Sequence, residues 1–213
     1  MPGLWRVWSP SNALSRTARS VAGRISRWWR WRGSFARGRR GRAAALRPAA
    51  GYLFTDSTHA LAAYQPAPKK RFLSGLGGKA EPRDATLDDT AWRETMEELF
   101  HWRSEEVPSP PMEWVLLQRA APTLQTGEYT EYVFTFEQLE ILLQLLARSP
   151  STPPSPCYET FPLTLTALVH TRRAPARAEV QHLALLPLIQ NLRLDPSFQQ
   201  SINTFLLRTQ DLV

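Results

Sequence analysis

Cysteine and histidine are scarce in this sequence, and their scarcity removes several classes of site. Of 213 residues, one is cysteine, Cys157, and four are histidines that show no spacing typical of metal ligands. A lone cysteine excludes an intramolecular disulfide and a cysteine-rich zinc site, and it is typical of a reducing compartment. The sequence also lacks the GxxxxGK[ST] loop of P-loop nucleotide-binding proteins. Zinc and P-loop chemistry are therefore set aside.

Acidic residues are missing from the first part of the chain. Residues 1–50 contain twelve arginines, no lysine and no aspartate or glutamate. The remainder keeps 14 of the 26 basic residues and all 19 acidic ones, a formal charge of −5, so the net charge of +7 describes neither part. We expect a basic arm over residues 1–50 and a mildly acidic folded domain over residues 51–213, long enough to bury one core.

The arm pairs arginines with apolar residues at helical spacing between Leu14 and Trp29. An arginine-rich, acid-free amphipathic start is typical of a mitochondrial transit peptide, and the arm lacks the apolar runs of a secretory signal or a membrane span. The first prediction is therefore mitochondrial targeting, with a cytoplasmic or nuclear location as the alternative. An arm rich in arginine and tryptophan can also bind nucleic acid or an anionic membrane, or be a tail without a partner.

The segment Gly77–Leu99, GGKAEPRDATLDDTAWRETMEEL, combines glycines with a cluster of acids. Thr86 followed by Asp89 is typical of a capping box, so a helix is predicted to begin near Leu87. Apolar residues recur along that helix at i, i+4 and i+7 and predict a buried stripe. The members of the stripe are Trp92, Met96 and Leu99.

Three glutamates, Glu94, Glu97 and Glu98, fall on the side of the helix opposite the stripe. Like charges at this spacing repel, so a cation is expected among them unless they form an ordinary solvated face. Arg93 is spaced to pair with Glu97 and orient it. Glycines just ahead of the helix let the backbone approach a ligand closely. Oxygen ligands without cysteine or histidine favour Mg²⁺ or Mn²⁺, which commonly bridge to substrate phosphates.

The segment resembles the signature of the Nudix hydrolases, in which a glycine and an acid precede Arg-Glu-x-x-Glu-Glu on a loop–helix–loop. Gly78 matches the glycine, and Asp84 stands where the family usually has glutamate. The matching core of the motif is Arg93, Glu94, Glu97 and Glu98.

Three features depart from the usual pattern. The spacing from Asp84 to Arg93 is one residue longer than the commonest form, as in the coenzyme A diphosphatase branch, to which GGK-x-E-P-x-D and TA-x-RET-x-EEL are similar. The arginine element that this branch carries ahead of its glycines is not matched in Pro66–Gly77. Phe100 replaces the glycine that usually ends the helix in a left-handed conformation, so the helix is expected to run on or to end differently.

The resemblance implies a fold of the α/β class, a Nudix-type α/β/α sandwich with a mixed sheet. It implies metal-dependent hydrolysis of a nucleoside diphosphate linked to another moiety. Glu94 and Glu98 would be the main metal ligands, with Glu97 and the Gly78 carbonyl assisting and Arg93 orienting the carboxylates. A catalytically inactive Nudix-fold module that binds a nucleotide, RNA or a protein is the alternative. The candidates for the general base are Glu97, Glu128, Glu131 and Glu179.

The rest of the domain shows short apolar runs separated by turns. GYLF and HALAAY predict two strands that form a hairpin around Asp56–Thr58. A closing helix is predicted over Pro196–Leu207, with Phe198, Ile202, Phe205 and Leu206 on its buried side. The other predicted elements are strands at Glu113–Arg119, Tyr129–Phe136, Leu163–Thr171 and Val180–Leu186, and a helix at Glu137–Arg148.

Overall fold

The computed structural model describes residues 48–67, 70–188 and 194–210. All of them belong to one compact unit, Ala44–Val213. The basic arm lies outside the described residues except for its last three positions, so its targeting and its contacts stay predictions. Within the described part of the chain, no helix is both long and apolar enough to cross a lipid bilayer.

The first sheet has four strands in the order β4-β1-β6-β5. Strand β1 pairs antiparallel with β4 and parallel with β6, and β5 pairs antiparallel with β6. The sheet is therefore mixed, as predicted. Its strands are β1 (Ala49–Phe54), β4 (Leu76–Lys79), β5 (Thr123–Thr126) and β6 (Tyr129–Phe134).

The second sheet has three antiparallel strands, β2 (His59–Ala67), β3 (Lys70–Ser74) and β7 (His182–Pro187), in the order β3-β2-β7. The predicted hairpin of β1 with β2 is wrong, because the two strands join different sheets and share only a bridge between Thr55 and Ala60. Both edges of β1 are already paired with β4 and β6, so no edge is left for β2.

Helix α1 (Leu87–Phe100) begins as the sequence predicts. The Thr86 hydroxyl accepts a hydrogen bond from the Asp89 N–H, and the Asp89 carboxylate accepts one from the Thr86 N–H, which completes the capping box. The stripe of Trp92, Met96 and Leu99 is buried. The closing helix, α5 (Pro196–Gln210), and α3 (Phe136–Arg148) are also confirmed.

Two predicted strands are helices. Glu113–Arg119 lies in α2 (Met112–Ala120), which buries Trp114 and Gln118, four positions apart on one face. Leu163–Thr171 contains α4 (Leu165–His170), whose N-cap Thr164 accepts a hydrogen bond from the Ala167 N–H. From sequence we also expect Glu113–Arg119 to pair with Tyr129–Phe136 across the loop that contains Gly127, and this is wrong. The strand that pairs with β6 across Gly127 is β5.

Helices cover the strands on both faces. One core joins residues of α1, α2 and α3 to alternate residues of the sheets, such as Tyr52, Phe54 and Leu61. The other core joins α5 to the residues of the opposite face, such as Leu53 and Ala62. On α5, Phe198, Ile202 and Phe205 are buried, and Leu206 packs against them. The predicted α/β class with a mixed sheet between helices is confirmed.

Candidate active site

Arg93 is the centre of the site, and Asp84 fixes it in place. Asp84 lies in the turn between β4 and α1, where its carboxylate accepts a hydrogen bond from the Glu81 N–H at 2.9 Å. Arg93 donates to both Asp84 oxygens, from Nε at 3.0 Å and from Nη2 at 2.8 Å. The Arg93 hydrogen bonds, followed by those from the Glu81 N–H and the Thr90 hydroxyl, outweigh burial and lower the Asp84 pKa to about 2. This paired geometry is the strongest that an arginine and a carboxylate can form.

The remaining donors of Arg93 hold the acids that follow it. Nη1 donates to Glu94 Oε1 at 3.0 Å and to Glu97 Oε2 at 3.3 Å, and Nη2 also donates to the Lys79 carbonyl at 3.0 Å. The Arg93 and Asp84 side chains are 6% and 4% exposed, whereas those of Glu94 and Glu97 are 19% and 23% exposed. The pair that anchors the site is thus buried, and the acids it orients reach solvent. The predicted pairing of Arg93 with Glu97 is confirmed.

Gly78 on β4 makes room for Glu94. A Cβ at this position would lie 2.4 Å from the Glu94 carboxylate, closer than any side-chain carbon tolerates. A glycine is therefore required for the Glu94 carboxylate to lie against the β4 backbone. Burial raises the pKa of Glu94 to about 7, against the opposing effect of Arg93.

Glu98 is buried, whereas the sequence predicts that it faces a cleft or solvent with the other two acids. It is 6% exposed, because it points to β4 and β2 rather than outwards. Its Oε2 accepts a hydrogen bond from the Gly77 N–H at 2.8 Å, and its Oε1 accepts one from Gln65 Nε2 at 3.0 Å. Burial raises the pKa of Glu98 well above its usual range, although the Gly77 N–H opposes this shift.

Helix α1 ends differently from the family pattern, as the sequence predicts. Phe100 is its last residue, and His101 takes the left-handed conformation, with φ 55° and ψ 33°. The Phe100 side chain is fully buried and stacks on Trp102 and Phe161. The turn that glycine usually makes has moved one residue along the chain, so the replacement ends the helix without disturbing the acids one turn earlier.

The four candidates for the general base have different environments. Glu97 is held by Arg93, and its other oxygen, Oε1, is buried without a hydrogen-bond partner, 3.9 Å from Arg83. Glu128 is exposed at the turn before β6, and Glu131 is buried within the sheet. Glu179 is exposed, yet its charge raises the pKa of both Glu94 and Glu98. Glu179 therefore lies within electrostatic reach of the predicted metal ligands.

The donor chemistry of this cluster fits a hard divalent cation. Burial, with a smaller contribution from neighbouring glutamates, raises the pKa values of Glu94 and Glu98, and Glu97 Oε1 has no hydrogen-bond donor, so a cation would relieve both costs. Across the described residues, no group of three or more acidic, histidine or cysteine side chains forms a ready-made metal cage.

Several contributors to the site carry no signal in the sequence pattern. Gln65 on β2 holds Glu98 from 33 positions away, and Arg172 reaches the carbonyl of Glu98 from 74 positions away. Tyr129 on β6 places its hydroxyl against Gly51 and Gly77, where a Cβ on either glycine would lie within 2.3 Å of it. The folding of separate strands, helices and loops against one another brings these residues together.

Comparison with known proteins found neither a matching family model nor a matching curated protein. Similar solved structures include a bifunctional NMN adenylyltransferase/ADP ribose pyrophosphatase from Francisella tularensis complexed with AMP and a Mn ion, which is 18% identical with a TM-score of 0.39 over 91% of this chain and 47% of that one. A MutT NUDIX hydrolase from Burkholderia pseudomallei is 13% identical with a TM-score of 0.38 over 74% of this chain and 96% of that one. The chain spans about half the length of the bifunctional protein. Similarity this low does not assign an activity.

Proposed function

We propose that this chain is a Nudix-type hydrolase that cleaves a nucleoside diphosphate linked to another moiety, with Mg²⁺ or Mn²⁺ as its cofactor. The observation that carries the proposal is the Arg93 cluster. A buried arginine, anchored by Asp84 through two hydrogen bonds, orients the partly exposed carboxylates of Glu94 and Glu97. An acidic face that is simply solvated would need no buried arginine beside it. It would also need no glycine at a position where a side chain would collide with a glutamate carboxylate.

The residues that would hold the cation are Glu94 and Glu98, with Glu97 and the Gly78 carbonyl beside them. When bound, the metal neutralises diphosphate charge and lowers the pKa of a bound water. Arg93 holds the carboxylates of Glu94 and Glu97 side by side, because its Nη1 donates to one oxygen of each. Hydrogen bonds from the Gly77 N–H and from Gln65 Nε2 hold the Glu98 carboxylate in one orientation.

The proton of the attacking water needs an acceptor near these acids. Among the four candidates, Glu179 combines exposure to solvent with an electrostatic effect on both Glu94 and Glu98. Glu131 is an unsuitable acceptor because it is buried, with Oε2 lacking any hydrogen-bond partner. We therefore place Glu179 first as the general base and keep Glu97 second.

The test is hydrolysis by the full-length chain of a panel of dinucleotides, nucleotide sugars, coenzyme A species and capped RNA, with Mg²⁺ and with Mn²⁺. We expect turnover of at least one compound, and a loss of roughly 100-fold or more in Glu98→Gln, because loss of a metal ligand costs at least as much as loss of its hydrogen-bond partner. Glu113→Gln, an exposed acid on α2, is the matched control and should retain activity.

A binding module without turnover is the second candidate. The observation that favours it is the pair of hydrogen bonds that already occupies both oxygens of Glu98. If no compound in the panel is hydrolysed above the Glu98→Gln background, the hydrolase proposal fails. Nucleotide binding without hydrolysis, measured by calorimetry, would then support the module.

The role of residues 1–50 is a separate proposal. We propose that the arm directs the chain to mitochondria, on the strength of its twelve arginines and its lack of acidic residues. Binding of the arm to nucleic acid or to an anionic membrane is the competing proposal, because the same charge attracts both.

A further inference from the structure

Arg172 is a charged side chain buried against the end of α1. It is 9% exposed, and its hydrogen bonds go to backbone carbonyls and one hydroxyl. Nη1 donates to the carbonyl of Leu99 and to the Tyr158 hydroxyl. Nη2 donates to the carbonyls of Glu98 and Val180, at 2.8 and 2.9 Å. One nitrogen therefore bridges the helix that carries Glu98 and the segment that precedes β7.

The end of a helix explains why a cation is stable at this place. The last carbonyls of a helix have no partner within it and carry partial negative charge. Helix α1 has no basic residue in its own last turn. Arg172 supplies the missing donors from a distant part of the chain, and the aromatic ring of Tyr158 lies 5.8 Å from its guanidinium carbon.

The segment that Arg172 holds also carries Glu179. The carbonyl on one side of Glu179, that of Val180, accepts from Arg172, and the carbonyl on the other side, that of Ala178, accepts from Gln181 Nε2 at 2.7 Å. The side chains of Ala178 and Val180 are buried, whereas Glu179 is exposed. Glu179 thus projects from a backbone fixed on both sides, rather than from a free loop.

From this bridge we propose that Arg172 is a positioning residue, which fixes the separation of Glu179 from Glu98 and so sets the geometry of the site. The inference rests on the proposed function, because Glu98 and Glu179 act together only if the site hydrolyses its ligand. Arg172 itself does not touch the reacting atoms. Its influence passes through the two carbonyls that share its Nη2.

The kinetic test compares Arg172→Met with Arg173→Met in the full-length chain. Arg173 is the matched control, because it is the next residue and its side chain is 83% exposed and pairs with exposed Glu159 at 3.8 Å. We expect Arg172→Met to lower kcat roughly 10- to 100-fold with KM changed less than about threefold, since misplacing one group by about 1 Å costs rate of this order. Arg173→Met should retain the wild-type kcat and KM.

A double variant separates positioning from general destabilisation. If Arg172 acts through Glu179, Arg172→Met combined with Glu179→Gln should be no slower than the slower single variant. Multiplied losses would overturn the proposal. Arg172→Lys keeps the charge but cannot bridge all four acceptors, so we expect an intermediate kcat. If Arg172→Met does not fold, Arg172→Lys decides, and an unchanged kcat in that variant contradicts the proposal.

Two further measurements do not depend on turnover. Amide hydrogen exchange at Gln181 should be faster in Arg172→Met than in wild type, and unchanged in Arg173→Met. The Gln181 N–H donates to the Tyr64 carbonyl and directly follows Val180, which Arg172 holds. Mn²⁺ titration followed by electron paramagnetic resonance should show weaker binding in Arg172→Met. If the wild-type protein hydrolyses no compound, the proposed function fails, but hydrogen exchange and Mn²⁺ affinity still test the positioning role of Arg172. If both are unchanged in Arg172→Met, that role is overturned.

Discussion

Arg93 converts a repulsive group of acids into an ordered one. Burial alone lowers its pKa, but Asp84, Glu94 and Glu97 raise it above the usual arginine value, so the guanidinium stays charged. Asp84 reaches Arg93 despite its short side chain, through hydrogen bonds from Nε at 3.0 Å and Nη2 at 2.8 Å.

Glu131 is a buried acid that the proposed reaction does not use, and it should make stability depend on pH. Burial raises its pKa to about 7, and Ser201 beside it opposes the shift only in part. Because the folded-state pKa exceeds the unfolded value of 4.5, the folded state binds more protons between those two values. Its contribution to stability therefore falls as pH rises through this window and stays low above it.

Glu131→Gln should remove that dependence. We expect the free energy of unfolding to rise by on the order of 1–3 kcal/mol at pH 8 and to change little at pH 4, because the buried carboxylate no longer ionises. Urea unfolding at the two pH values measures the difference. Glu128→Gln, which alters an exposed acid nearby in the chain, is the control. Equal stability changes at pH 4 and pH 8 would contradict the assignment.

The local part of the site could be predicted from sequence, and the distant part could not. Arg93 and its glutamates lie within one helix, so their spacing alone states which can meet. Gln65 and Arg172 reach Glu98 from other elements, and no spacing along the chain records those contacts. The burial of Glu98 could not be predicted for the same reason, since β2 and β4 cover it and neither belongs to its helix.

At the scale of the elements, helix α1 ends in a left-handed residue that is not glycine. His101 adopts a left-handed conformation that costs an ordinary residue about 1–2 kcal/mol relative to a right-handed one. Phe100, one residue earlier, has helical backbone and a side chain buried among aromatic rings. Position 101 therefore favours glycine, whereas position 100 favours a large apolar side chain, although position 100 is where the family usually has glycine.

Glycine substitutions should accordingly have opposite effects. We expect His101→Gly to stabilise the protein by up to about 1 kcal/mol, because glycine relieves the left-handed conformation. Phe100→Gly should destabilise it by roughly 3–5 kcal/mol, because it empties a packed core position. Thermal unfolding of the two variants beside wild type measures both effects. Stabilisation by Phe100→Gly would show that the aromatic stack contributes little.

The two wrongly predicted elements share one cause. Glu113–Arg119 contains the short apolar run WVLL, and Leu163–Thr171 mixes leucines with β-branched residues. Short segments of this kind fit a strand as well as a buried helix. In each case the packing partner decides otherwise. Trp114 and Gln118 need one helix face to meet Tyr52, and Leu168 is the single buried residue of α4.

At the scale of the whole molecule, residues 1–50 are strongly basic and the rest of the chain is mildly acidic. The pI near 10.2 is set by residues 1–50, whereas the residues that carry the site have an excess of acids. The proposed chemistry therefore takes place on an acidic domain that needs a cation to approach a diphosphate. The basic arm is left for delivery or docking.

Residues 1–50 fused to a fluorescent protein test the delivery proposal. We expect the fusion to colocalise with a mitochondrial marker, because the arm supplies the positive amphipathic pattern that import requires. A matched fusion replaces five arginines by glutamine and should remain diffuse. The five are Arg16, Arg19, Arg24, Arg27 and Arg30. Nuclear accumulation, or a diffuse signal from the unaltered arm, would count against mitochondrial targeting.

The order in which strands find their partners has a consequence for the timing of folding. Ala49 on β1 pairs with Tyr129 on β6, and His59 on β2 pairs with Pro187 on β7, so each central strand waits for a partner far along the chain. Such long-range pairing slows folding. A chain that emerges from a ribosome or a narrow pore would leave β2 with an open edge until residues 182–187 arrive. The second sheet is therefore completed only when the last strand of the domain is available.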